Sequence, residues 1–141
     1  MKKLIYMLFI SQVVNASDFS PIGVWLVADG GAKIEIYAPN TTNLEGKIIW
    51  LKEPLEKDGT AKKDIKNPDE KLNSRPILGM VLIEGFKKDK NEWSGGTIYD
   101  AKSGKTYKAK MELDGDNKLK LRGYVGVPMF GRTEVWTRQA L

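Results

Sequence analysis

Residues 105–113 read Lys105-Thr106-Tyr107-Lys108-Ala109-Lys110-Met111-Glu112-Leu113. Tyr107, Ala109, Met111 and Leu113 share one face, and Thr106, Lys108, Lys110 and Glu112 share the other. Successive side chains of a β-strand point to opposite faces, so this segment is a strand with one side in a core and one in water. A helix would scatter the same residues around its circumference. The next residues, Asp114-Gly115-Asp116-Asn117, are turn formers, and 118–126 repeats the alternation with Leu119, Leu121 and Gly123 against Lys118, Lys120 and Arg122. Two such runs joined by a tight polar turn are an antiparallel hairpin.

Working outward, the same period marks strands at 23–28, 32–37, 44–51, 77–86, 93–99 and 133–138, which with 105–113 and 118–126 makes eight. The links at 29–31, 39–43, 87–92, 101–104 and 114–117 are short and rich in Gly, Asn and Asp, with no room for crossover helices. Eight consecutive antiparallel strands favour an all-β, up-and-down barrel, which removes the open edges of a sheet. A two-sheet sandwich is the alternative. The long third connection, 52–75, is polar and holds Asn67-Pro68-Asp69-Glu70-Lys71-Leu72, where Asn67 as N-cap and Pro68 at the first position begin a short helix.

In an up-and-down barrel successive turns lie at alternate ends. The first, third, fifth and seventh connections therefore share one rim, which collects the 52–75 loop and the apolar segment Val127-Pro128-Met129-Phe130-Gly131. The other rim receives only short polar turns. A lid and an apolar lip at one end suit a barrel that admits a ligand, and eight strands leave space for one small molecule or for side chains that fill it.

Composition narrows the chemistry. The 141 residues contain no Cys and no His, which excludes a Ser-His-Asp triad, a Cys nucleophile and a zinc site built from either residue. Twenty-three Lys and Arg against 18 Asp and Glu leave a net charge of +5. The cations alternate with apolar residues along strands, as on a solvated exterior, and this argues against nucleic acid as a partner. The reading is of a protein that is not an enzyme and needs no cofactor and no metal.

Several short motifs are turns. Ser103-Gly104-Lys105-Thr106 lacks the Gly that a phosphate loop places five residues before Gly104, where Tyr99 stands. Asp114-Gly115-Asp116-Asn117 has no twelve-residue calcium loop around it. Asp58, Asp64, Asp69 and Glu70 are read as the solvated charges of an ordinary loop.

The first residues carry an address. Lys2 and Lys3 precede the apolar run 4–10, and Val14-Asn15-Ala16 ends in a small-residue cleavage pattern. Residues 1–16 are read as a signal peptide cut after Ala16, and 17–141 as the barrel domain, periplasmic or secreted, with no membrane span.

Gly23-Val24-Trp25 resembles the G-x-W signature of lipocalins and wider calycin barrels. That resemblance implies a Trp closing the narrow end beneath an Arg near the last strand, for which Arg138 is the candidate and Arg132 the second. The chain lacks the disulfide of many lipocalins. A broader resemblance rests on Asn67-Pro68-Asp69, Leu72 with Arg75-Pro76 and Gly79, Trp93 to Asp100 (WSGGTIYD), Gly104-Lys105-Thr106-Tyr107, Arg122 to Gly126 (RGYVG), and Gly131-Arg132 with Trp136-Thr137-Arg138. Their order and spacing are similar to those of the exported bacterial family catalogued as domain of unknown function 2147. The family implies a calycin-like barrel in the cell envelope and no established reaction.

The expected function is capture of a small hydrophobic or amphiphilic ligand, as carrier or receptor. The candidate lining is Ile34, Ile36, Trp50, Leu82, Ile98, Tyr107, Met111 and Leu121, with Met129 and Phe130 at the mouth and Arg75 to meet an anionic head group. Gly23, Trp25 and Arg138 are the candidate closure. The alternative is an envelope interaction module that presents its loops to a partner protein and holds no ligand.

Overall fold

A computed structural model describes residues 19–140. The signal peptide and its cleavage site after Ala16 lie outside the described residues. Eight antiparallel strands close into a barrel in sequence order: β1 (Gly23–Leu26), β2 (Ala32–Tyr37), β3 (Leu44–Leu51), β4 (Val81–Asp89), β5 (Glu92–Asp100), β6 (Lys105–Asp114), β7 (Lys118–Tyr124) and β8 (Arg132–Gln139). β1 pairs with β8 through Trp25 opposite Arg138, so every strand has two neighbours.

The alternating faces meet as the sequence requires. Ala109 and Met111 of β6 lie opposite Gly123 and Leu121 of β7, and all but Gly123 are buried. In the half of the barrel nearest the even-numbered turns the core is filled by Ile36, Leu44, Phe86, Trp93, Met111 and Leu119. Fully burying a side chain of this kind stabilises a fold by roughly 1.5–3 kcal/mol, so this half supplies much of the stability.

The fourth strand starts later than its apolar pattern suggests. Residues 76–80 belong to the long connection: Pro76 bridges Lys63, Ile77 donates its N–H to Lys62, and Gly79 donates to Ile48. The expected helix is a single 3-10 turn, Glu70–Leu72, and its N-cap is Asp69, whose carboxylate accepts from the Lys71 N–H. Asn67 instead accepts from the Asp69 N–H one step earlier. A second 3-10 turn, Pro128–Phe130, forms the apolar lip.

Candidate functional site

The two ends of the barrel are built differently. At the end of the even turns Trp25 is fully buried, and its indole Nε1 donates to the Pro21 carbonyl at 2.8 Å. The Arg138 guanidinium lies 4.3 Å from the Trp25 ring centroid and donates to the carbonyls of Asp116, Ile22 and Ser20. One planar cation thus ties the segment before β1, the β6–β7 turn and the last strand together. Gly23 has φ 140°, and a Cβ there would sit 2.6 Å from Arg138 Nη1. Only glycine leaves room for the guanidinium on that backbone.

The other end is hollow. A cavity of about 800 Å³ opens among the odd-numbered turns and reaches down to Leu121 and Trp136. Its wall is largely apolar, from Val27, Ile34, Ile48, Leu51, Ile77, Met80, Leu82, Ile98 and Tyr107. Asp29, Asp100, Lys102 and Arg132 stand around the mouth, and Glu134 lies deeper, opposite Leu121, where it accepts from Trp136 Nε1 at 3.2 Å. Asp29 and Lys102 pair at 3.1 Å, and because they come from the first and fifth turns of an eight-strand ring, the pair spans the opening. A hydrogen bond from the Gly31 N–H, followed by Lys102, holds the Asp29 carboxyl below its ordinary value.

Of the residues singled out in the sequence, Ile34, Leu82, Ile98, Tyr107, Leu121 and Phe130 border this cavity. Ile36 and Met111 are buried in the filled half instead. Trp50 points the wrong way for a lining residue. The register of β2 and β3 slips between Lys33 and Ile34, so Trp50 lies opposite Lys33 while Ile48 lies opposite Ile34. The extra residue of this bulge reverses the face of everything after it, which turns Trp50 outward, 40% exposed, with the Lys33 ammonium 5.1 Å from its ring. Met129 is 75% exposed and does not reach the cavity. Arg132 belongs to the open rim and has no part in closing the far end.

The long connection is held by a buried acid. Asp64 is completely inaccessible, which corrects the reading of the loop's acidic residues as uniformly solvated. Its Oδ1 accepts from the Tyr99 hydroxyl at 2.6 Å, and its Oδ2 accepts from Asn67 Nδ2 at 2.9 Å and Arg75 Nε at 2.8 Å. Burial by itself raises the Asp64 pKa, but the hydrogen bonds from Tyr99, Asn67 and Arg75 outweigh it and hold the carboxyl below its ordinary range. Burial and the same carboxylate push the Tyr99 phenol up to about 12. Arg75, expected to meet a ligand head group, therefore has its Nε committed to Asp64 and is absent from the cavity wall. Gly104, at φ 73°, lets the Lys66 carbonyl approach so closely that any Cβ would collide with it, and the lid seats on the β5–β6 turn.

Among the described residues no group of three or more acidic side chains is placed to hold a metal ion, and no helix is long and apolar enough to cross a membrane.

A closed eight-strand barrel, sealed at one end by a Trp under an Arg and hollow at the other, is a lipocalin-like, calycin barrel. Residues 23–138 match the family model described as "Uncharacterized protein conserved in bacteria (DUF2147)", and the chain belongs to that family. It is similar in fold to a solved structure described as "Protein HP1028 from the human pathogen Helicobacter pylori belongs to the lipocalin family", with a TM-score of 0.73 and 23% identity over 86% of this chain and 84% of that one. No curated protein matches the sequence.

Proposed function

We propose that the protein is an exported carrier or receptor for a small hydrophobic or amphiphilic molecule, held in the hollow half of the barrel. The observation that carries this reading is the cavity of about 800 Å³ with a largely apolar wall, charged groups gathered at its mouth and one deeper carboxylate, Glu134, engaged by the Trp136 indole. That volume lies in the range of sites that enclose a small molecule, and the division of polarity suits an apolar body inside and a polar end outside. With Arg75 engaged by Asp64, the head group would meet Lys102, Arg132 and the acids beside them.

Fatty acids of increasing length, titrated against intrinsic Trp fluorescence, test the reading. Trp136 reports from the cavity wall. Each methylene buried contributes about 0.8 kcal/mol, so affinity should rise about fourfold per carbon until the cavity is full. Leu82→Trp, which places a larger side chain on the wall, should abolish binding while the barrel stays folded. The alternative, a module that shows its loops to an envelope protein, predicts no saturable signal at any length. Export rests on the leader pattern of residues 1–16, and protein recovered from its native host should begin at Ser17. Recovery of the intact chain from the cytoplasm would overturn it.

A further inference from the structure

The lip of the barrel carries an exposed apolar cluster that extends beyond the cavity: Val125 and Phe130 also border the mouth, whereas Val127 and Met129 do not. Val125 is 74% exposed, Met129 75% and Phe130 78%, and Val127 joins them. Large apolar side chains grouped on a loop mark a contact surface more often than scattered single ones do. This loop is also built. The Arg122 guanidinium donates to the Pro128 carbonyl at 2.6 Å, to the Met129 carbonyl at 3.3 Å and to Thr133 Oγ1 at 2.8 Å. The cation spends its donors on the backbone of the 3-10 turn, and Met129 and Phe130 are left projecting into solvent.

The lip itself carries charge of one sign. From Leu121 through Thr133 the chain has no acidic residue, while Arg122 and Arg132 supply two cations. Lys108 is exposed on β6 opposite Tyr124, at the base of the loop. The acids of the mouth lie on other segments: Asp29 is already paired with Lys102, and Asp100 borders the cavity. A protruding apolar tip above a cationic flank, with a Tyr at their junction, is complementary to a bilayer with anionic head groups. Apolar side chains enter the acyl boundary, aromatic rings sit at head-group level, and Lys and Arg remain beside the phosphates.

We propose that Val125, Val127, Met129 and Phe130 dock the open end of the barrel on an anionic lipid bilayer, with Lys108 and Arg132 supplying the electrostatic attraction. The cavity mouth then faces the membrane, and an amphiphile passes between bilayer and barrel without crossing water. The surface shares Val125, Phe130 and Arg132 with the cavity mouth, but docking requires no bound ligand, so each reading can fail without the other.

The test is co-sedimentation of the purified barrel with vesicles of phosphatidylcholine alone and of phosphatidylcholine with phosphatidylglycerol. Binding should favour the anionic vesicles and weaken as salt is raised. Met129→Ser combined with Phe130→Ser should lower the partition coefficient about tenfold or more, and Arg132→Glu should lower it on anionic vesicles only. Both variants alter exposed side chains, and unchanged circular dichroism and melting would show that the fold is kept. Vesicle binding by a protein that takes up no fatty acid would support docking while overturning the carrier reading. Saturable fatty-acid binding with no vesicle association would overturn docking and leave the carrier. Equal vesicle binding by the Met129→Ser, Phe130→Ser variant, or protection of the lip by a protein with no vesicle association, would also overturn it.

Discussion

Arg138 joins three segments far apart in sequence, and its value to the fold is correspondingly concentrated. Arg138→Ala removes the cation over Trp25 and three hydrogen bonds to carbonyls, and should cost about 2 kcal/mol, read as a lower urea midpoint with unchanged slope. Gly23→Ala should destabilise comparably, because the new methyl collides with the guanidinium on a backbone that disfavours it. Combining the two should cost less than their sum, since the methyl no longer meets the cation once Arg138 is gone. Full additivity would show that Gly23 is needed only for its backbone. Gly-x-Trp and the late Arg were legible in the sequence, but the third participant, the Asp116 carbonyl of the β6–β7 turn, was not, because a backbone acceptor leaves no residue-type signal.

At the scale of the element, the long third connection behaves as a docked lid held by a buried carboxylate. Tyr99→Phe takes one of the three side-chain donors from Asp64 and should cost about 1–3 kcal/mol of stability, with proteolytic nicking appearing first between 52 and 80. The pH dependence follows from the directions of the two shifts. Asp64 titrates below its ordinary 3.8, so its contribution is present above that value and lost as pH falls through the lower, folded one. Tyr99 titrates near 12 against an ordinary 10, so its contribution is complete below pH 10 and lost as pH rises toward 12. Melting followed across pH 2–12 should lose the acid limb of this dependence in the Asp64→Asn variant and keep a weaker alkaline limb, because burial of Tyr99 remains. An unchanged profile would refute a structural role for the pair. Alternation along β6 and β7 gave away those strands residue by residue, whereas nothing local marks Asp64 as different from Asp58 or Asp69. Its partner Tyr99 is 35 positions away, and such pairings are made by the closed fold. Trp50 shows the same limit in a strand: one extra residue in β3 reverses the parity that the sequence alone supports.

The whole molecule divides into a packed half and an empty half, and the division was half legible. Loop parity placed the long connection and the apolar lip at one rim, but the depth of the hollow depends on which inward side chains meet across the barrel, and Ile36 and Met111 fell on the filled side. Because the packed half includes Trp25, Phe86, Trp93 and Met111, the barrel should fold without a ligand, and stripping the protein with organic solvent and refolding it should restore the same melting transition. A stripped protein that fails to refold would mean that the occupant is part of the core. The Asp29–Lys102 pair across the mouth is too weak to set how long such an occupant stays. Both side chains are well exposed, and pairs of that kind are worth about 1 kcal/mol at most, so the bar opens and closes many times during one stay. Residence time is then governed by the apolar surface a guest must re-expose on leaving. Lys102→Ala should quicken escape by no more than about fivefold for every guest, while each carbon added to the chain slows it by a similar factor. The barrel is a clock set by the size of its passenger, with a latch too weak to stop it.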